Sequence, residues 1–219
     1  MMLCDAHTHW KENMTDDGVI RVISLLTPEM SEHYSGLYSI GVHPMFAASS
    51  VIPSEYDDLF SGSNCCAIGE CGLDRRAKLP MQDQMKLFLA HAEASERYGK
   101  PLVVHCVRAQ NELLKLYRDF RPGMPWIIHG CRGKREKLLE LADAGFYLSF
   151  GEGLLLSAGN MEDFFPQLPV DRILLETDEA AVKLDVLAAT GAQMMRMNVR
   201  EFQEQVWQNF KKVFSYECN

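Results

Sequence analysis

The feature that most constrains this chain is a repeated one: short apolar runs of strand length, each stopping in a histidine or a carboxylate. Leu3-Cys4-Asp5-Ala6-His7, Tyr38 to Val42 before His43, and Cys66-Ala67-Ile68-Gly69-Glu70 are the first three. Pro101-Leu102-Val103-Val104-His105, Pro125-Trp126-Ile127-Ile128-His129 and Arg172-Ile173-Leu174-Leu175-Glu176-Thr177-Asp178 repeat the pattern. Runs of this length and composition suit strands buried on both faces. A carboxylate at the tip of a buried strand is costly unless something cationic meets it. The apolar runs offer few lysines or arginines for that purpose and offer histidines instead. Glu70 therefore reads as one ligand of a metal site, and with two metals its two oxygens make it the natural bridge.

Between these runs the chain supplies two more strand candidates and a series of helices. Val19 to Leu26 and Phe146 to Phe150 are strand-like. Pro80 opens an amphipathic helix in which Met81, Met85, Phe88, Leu89 and Ala92 recur at helical spacing, and Gly99 closes it. His91 lies beside that stripe and reads as a surface or capping residue. Helices are predicted over about 109–120, 133–144 and 198–214, the last burying Val199, Phe202, Val206, Phe210 and Val213. Residues 11–18 carry no apolar face and read as a loop; His33, among charged neighbours, reads as solvated.

Eight strand candidates with helices or loops between them, and no long linker, predict a single domain over residues 1–219: an α/β fold, a (β/α)8 TIM barrel. It is a small one, with trimmed first and last loops. A doubly wound sheet would need fewer strands and would scatter the polar strand ends along a crevice. A barrel gathers them in one ring, at the face where such barrels carry chemistry.

Charge narrows the partners. With 30 acidic against 22 basic residues the net charge is −8, which excludes a broadly basic nucleic-acid face. The N-terminal residues resemble no secretory signal, and no apolar run reaches membrane-spanning length. Seven cysteines at unpaired spacings read as free thiols in a reducing compartment. The expectation is a cytoplasmic monomer without a membrane partner. Cys131 shares a strand face with His129, but strand order is expected to end before it.

Five of the seven histidines fall at strand ends, a concentration that makes the set more telling than any one member. The His7-Thr8-His9 pair, taken alone, is as readily two polar residues leaving a strand. Together, four imidazoles and two carboxylates can build two divalent sites that share Glu70. His7, His9 and Asp178 would hold one ion, and His105 with His129 the other. Such nitrogen-rich ligation suits zinc, manganese, nickel or iron, with magnesium less natural.

The local words resemble those of the TatD-like deoxyribonucleases, a branch of the amidohydrolase superfamily of metal barrels. They are Asp5-Ala6-His7-Thr8-His9, Gly41-Val42-His43-Pro44, Ile68-Gly69-Glu70-Cys71-Gly72-Leu73-Asp74, Pro101 to His105, His129 with Gly133, and Leu175-Glu176-Thr177-Asp178. Gln84, Phe88, Asn209 and Phe214 fit as well. The resemblance implies that His7, His9, Glu70, His105, His129 and Asp178 are metal ligands, that Glu70 and Asp178 are catalytic, and that Asp178 manages a proton. It implies hydrolysis of phosphodiesters, with DNA as substrate. The departures lie at the rim: Val107 stands where an arginine is usual, Cys131 and Arg132 replace an aromatic and a serine, and the loop after Asp178 is short.

The expected chemistry is attack by a hydroxide bridging two ions about 3.5–4 Å apart. His43, Arg108 and Arg132 are the expected substrate contacts. Arg75, Arg76, Lys78, Lys134 and Arg135 would help to offset the acidic surface, or else be solvated loop charges. The rivals are a hydrolase of a lactone, cyclic amide or small phosphoester, and a non-catalytic metal-binding barrel.

Overall fold

The computed structural model describes residues 2–10, 17–156 and 158–217; most of the predicted 11–18 loop and the side chain of His33 lie outside the described residues. Among the described residues, eight strands follow one another in chain order across the sheet: β1 Cys4–His9, β2 Ile20–Leu25, β3 Tyr38–Ile40, β4 Cys65–Asp74, β5 Leu102–Val107, β6 Trp126–Ile128, β7 Tyr147–Phe150 and β8 Ile173–Leu175. The helices between and after them are α1 Glu55–Ser61, α2 Met81–Tyr98, α3 Gln110–Phe120, α4 Arg135–Ala144, the short α5 Gly153–Leu156 and α6 Ala158–Met161, then α7 Leu184–Met195 and α8 Val199–Phe214. No helix among the described residues is long and apolar enough to cross a membrane. The chain divides into two compact units, Met1–Val22 with His129–Asn219, and Ile23–Ile128.

In the unit Ile23–Ile128, β3, β4, β5 and β6 pair in parallel, with β3 against α1, β4 against α2, and β5 against α2 and α3. Trp126 is fully buried and meets Phe88 edge-on at 4.9 Å and Tyr117 at 5.2 Å. Burying a side chain of this kind contributes roughly 1.5–3 kcal/mol. Gly99 ends α2 in the left-handed conformation, its N–H returned to the carbonyls of Glu96 and Ser95.

The face that α2 buries differs from the predicted stripe. Gln84, Leu87, Phe88, His91 and Ser95 are buried, whereas Met81, Met85 and Leu89 are only half-buried. His91 is thus not a surface residue. Its Nδ1 meets the Leu87 carbonyl at 2.8 Å, and its Nε2 accepts the Val42 N–H at 3.0 Å. Burial lowers its pKa to about 4, so the ring is neutral and its one proton lies on Nδ1. Three polar residues on the buried line displaced the hydrophobic stripe by one position.

In the other unit, β7 and β8 pair in parallel and β1 joins β8 through the Thr8–Asp178 bridge. Phe150, Phe165, Phe202 and Phe210 form its centre. Asn209 of α8 donates from Nδ2 to the carbonyls of Val170 and Ile173, both at 2.8 Å, fixing the approach to β8. Val199, expected inside, is exposed at the first turn of α8. Helix α7 had no counterpart in the sequence reading.

Candidate metal centre

In the unit that carries β1 and β8, His7 and His9 occupy alternate positions of β1 and Asp178 follows β8. Asp178 is a non-glycine residue with φ of 51°, a conformation that persists only where its surroundings enforce it. They do: its N–H donates to the His7 carbonyl at 3.0 Å, and its own carbonyl accepts from Thr8 Oγ1 at 3.0 Å and from His9 N at 3.4 Å. This clamp presents Asp178 Oδ1 to His9 Nε2 at 3.4 Å and to His7 Nε2 at 3.8 Å. The His129 ring lies 4.4 Å from that of His7. Burial alone would raise the Asp178 carboxyl, but His9, His7 and His129 hold it down to about 2, so it is ionised at neutral pH.

Two buried carboxylates the sequence reading left without a role stand behind this cluster. Asp5 accepts from Thr177 N at 2.9 Å and from Thr177 Oγ1 at 2.7 Å, which locks the turn into Asp178. Burial pushes its pKa to about 6 against those hydrogen bonds. Glu176 lies 3.9 Å from His129 Nδ1 and accepts the Gly130 N–H at 2.5 Å. Burial raises Glu176 to about 8, with His129 opposing. Both were visible in sequence as acidic residues two positions from a ligand candidate, on the same strand face.

The unit Ile23–Ile128 holds the second cluster, and its spacing follows from strand geometry. Glu70, Gly72 and Asp74 alternate along β4 and share a face, and β5 places His105 directly opposite Gly72. Gly72 offers no side chain there, so the imidazole sits between the two carboxylates. Its Nδ1 lies 2.7 Å from Glu70 Oε1 and its Nε2 lies 3.0 Å from Asp74 Oδ2. A Cβ on Gly72, whose φ is +153°, would collide with the His105 carbonyl. The Glu-x-Gly-x-Asp spelling of β4 is therefore a requirement of the site.

His43 completes this cluster, with Nε2 3.1 Å from Glu70 Oε1 and 3.3 Å from His105 Nδ1. Its Nδ1 accepts the Met45 N–H at 3.1 Å. A nitrogen that accepts carries no proton, so in the neutral ring Nε2 bears it and acts as a donor. That favours the expected substrate-contact role of His43 over ligation.

Candidate donor atoms of His7, His9 and Asp178 lie within 4.8 Å of one another, and so do those of His43, Glu70 and His105. Imidazole and carboxylate donors in that proximity fit a divalent ion. Arg108 and Arg132 are exposed beyond β5 and β6. Arg75 pairs with Glu112, and Arg135 donates to Gln167 at 2.8 Å. Arg76 stays exposed while pairing with the buried Asp74 at 2.8 Å. Cys131 is buried, and the described cysteines are free thiols.

The curated 3'-5' ssDNA/RNA exonuclease TatD of Klebsiella pneumoniae is 31% identical over 158 residues, 68% of this chain and 59% of that protein. The putative deoxyribonuclease TATDN1 homolog of Vairimorpha ceranae is 28% identical over 171 residues, 76% of this chain and 61% of that protein. The chain spans about three fifths of the length of these two relatives. Among solved structures, that of YJJV, a TatD homolog from Escherichia coli, matches with a TM-score of 0.84 at 18% identity and covers 98% of both chains. The phosphotriesterase homology protein of E. coli, complexed with phosphate in its active site, matches with a TM-score of 0.67 at 15% identity, covering 97% of this chain and 98% of its own. At these identities the likeness is one of fold, and together with the strand order it bears out the (β/α)8 barrel. The family described as TatD related DNase matches residues 4–215, and to that family this chain belongs.

Proposed function

We propose that the chain is a metal-dependent hydrolase of phosphodiester bonds, with DNA as its substrate. The observation that carries this reading is the pair of imidazole–carboxylate clusters, His7-His9-Asp178 and Glu70-His105 with His43 beside them. We assign His7, His9 and Asp178 to one divalent ion, and Glu70 with His105 to a second, with zinc, manganese, nickel or iron as the metals that suit them. The relatives' printed activities, on single-stranded DNA and RNA and as a deoxyribonuclease, support a nucleic-acid substrate.

When bound, such ions supply Lewis acidity toward a phosphoryl oxygen and make a neighbouring water a stronger acid. The residues do the rest. Asp178, ionised at neutral pH, accepts the proton of the attacking water and passes it to the leaving oxygen. His43 donates from Nε2 toward a phosphoryl oxygen, its ring oriented by the Met45 N–H. Arg108 and Arg132, exposed beyond their strands, meet the flanking backbone of the substrate and offset the acidic surface.

One observation favours a smaller phosphoester as the second reading. The link after Asp178 is brief: Ala180 N closes a turn on Thr177 O, and α7 begins at Leu184. The deciding experiment supplies the purified protein with zinc, manganese or magnesium. It then measures hydrolysis of single-stranded DNA, duplex DNA, a phosphomonoester and a lactone. Metal-dependent cleavage of DNA is expected. Turnover of the phosphomonoester or the lactone alone would overturn the nuclease assignment.

A further inference from the structure

Resting on the metal-site reading above, we infer that Asp74 and Arg76 are positioning residues for His105. They hold its Nε2–H so that Nδ1 faces Glu70 and would be free to ligate a bound ion. Asp74 is fully buried at the end of β4, and each of its oxygens is spoken for. Oδ1 accepts from the Arg76 backbone N–H at 2.8 Å and from Arg76 Nε at 3.1 Å. Oδ2 accepts from Arg76 Nη2 at 2.8 Å and meets His105 Nε2 at 3.0 Å. The carboxylate cannot rotate without losing several of these contacts together.

The backbone beneath it is pinned as firmly. Gln84, buried on α2, accepts the Asp74 N–H at 2.8 Å and donates from Nε2 to the Asp74 carbonyl at 3.0 Å. The same amide nitrogen donates to the Leu79 carbonyl at 2.7 Å, so the loop from β4 into α2 closes on one side chain. A buried glutamine facing a strand end, and an arginine folding back two residues, thus serve one carboxylate.

The chemistry explains why that carboxylate is worth holding. An imidazole can bind an ion through one nitrogen only if the proton sits on the other. Both ring nitrogens face a carboxylate, so once an ion takes the place between Nδ1 and Glu70, Asp74 is the acceptor that holds the remaining proton on Nε2 and makes Nδ1 the more basic donor. Arg76 supplies the charge that lets Asp74 remain a carboxylate while buried. Each step lies within the unit Ile23–Ile128.

The test measures zinc affinity by chelator competition, independently of hydrolysis. Variants are Asp74→Asn, Arg76→Gln, His105→Ala and the double variant Asp74→Asn/His105→Ala, each checked for folding by thermal melting. Outer-shell partners of a metal-bound histidine typically contribute about 10- to 100-fold in affinity. Asp74→Asn is expected to weaken zinc by that factor, Arg76→Gln by less in the same direction, and Asp74→Asn to add nothing once His105 is gone. The His105 ring nitrogen resonances of the zinc-loaded protein should also move in Asp74→Asn and in Arg76→Gln. Wild-type affinity and unmoved resonances in folded Asp74→Asn, or an undiminished effect of it in the His105→Ala background, would overturn the inference. If Asp74→Asn does not fold, Arg76→Gln decides it: unchanged affinity and resonances refute the pairing. Zinc binding that responds as expected in a protein without DNA hydrolysis would instead remove the nuclease assignment and leave the positioning intact.

Discussion

His43 Nε2 sits 3.1 Å from Glu70 Oε1 while His43 Nδ1 accepts the backbone N–H of Met45 at 3.1 Å. The two contacts assign the ring's proton: Nε2 carries it and points it at the carboxylate. His43 thereby ranks as a hydrogen-bond donor in a cluster whose other nitrogen donor is His105.

That assignment separates two roles experimentally. His43→Ala is expected to keep wild-type metal content, because a protonated nitrogen is no ligand. Its turnover of a phosphodiester should drop by roughly 10²–10³, the worth of one lost charge-stabilising donor. Elemental analysis beside a bis(4-nitrophenyl) phosphate assay checks both halves; loss of an ion in the variant would restore His43 to the ligand set.

Asp178→Asn keeps the shape and one oxygen of Asp178 and removes the proton acceptor. The variant should fold, retain the ion held by Glu70 and His105, and turn over about 10²–10⁴ times more slowly. Wild-type-like turnover with metal loaded would take Asp178 out of proton transfer.

His91 gives a pH dependence that needs no metal. Its folded pKa is about 4 against the 6.5 usual for an imidazole in water, because burial excludes the charged ring. The unfolded chain therefore binds a proton that the native state refuses between those values. Stability is full above about pH 6.5 and falls as the pH drops toward 4, by about 3 kcal/mol in all at 1.36 kcal/mol per unit. Denaturant unfolding from pH 7 to pH 4 should show that slope in the wild type and a shallower one in His91→Gln. Equal slopes would assign the acid sensitivity elsewhere.

The strands, the order in which they come and the donors at their ends were legible in the sequence, because each is a local property. A buried parallel strand is an unbroken apolar run, and a polar residue at its tip marks where the run leaves the core. The same locality explains the omission of α7. Leu184 to Met195 is apolar on nearly every face and is interrupted by Thr190 and Gly191, so it has no stripe to reveal a helix. It explains the misplaced face of α2 as well, where Gln84 and His91 are buried against partners outside the helix, the N–H groups of Asp74 and Val42, and such partners are tertiary.

What the sequence by itself determined was the inventory: imidazoles and carboxylates at strand ends, and a glycine two residues from Glu70. What only the tertiary structure decided was which atom of each side chain faces which partner. The register of β4 on β5 sets His105 opposite Gly72 and so between Glu70 and Asp74. The hydrogen bonds of Asp178 to β1 turn it toward His7 and His9. Arg76, a loop charge in the sequence, folds back onto Asp74 because a buried carboxylate next to an imidazole is stable only with a cation beside it. Distances of 3 Å between residues tens of positions apart depend on register and burial, and neither is written in the local pattern of residues.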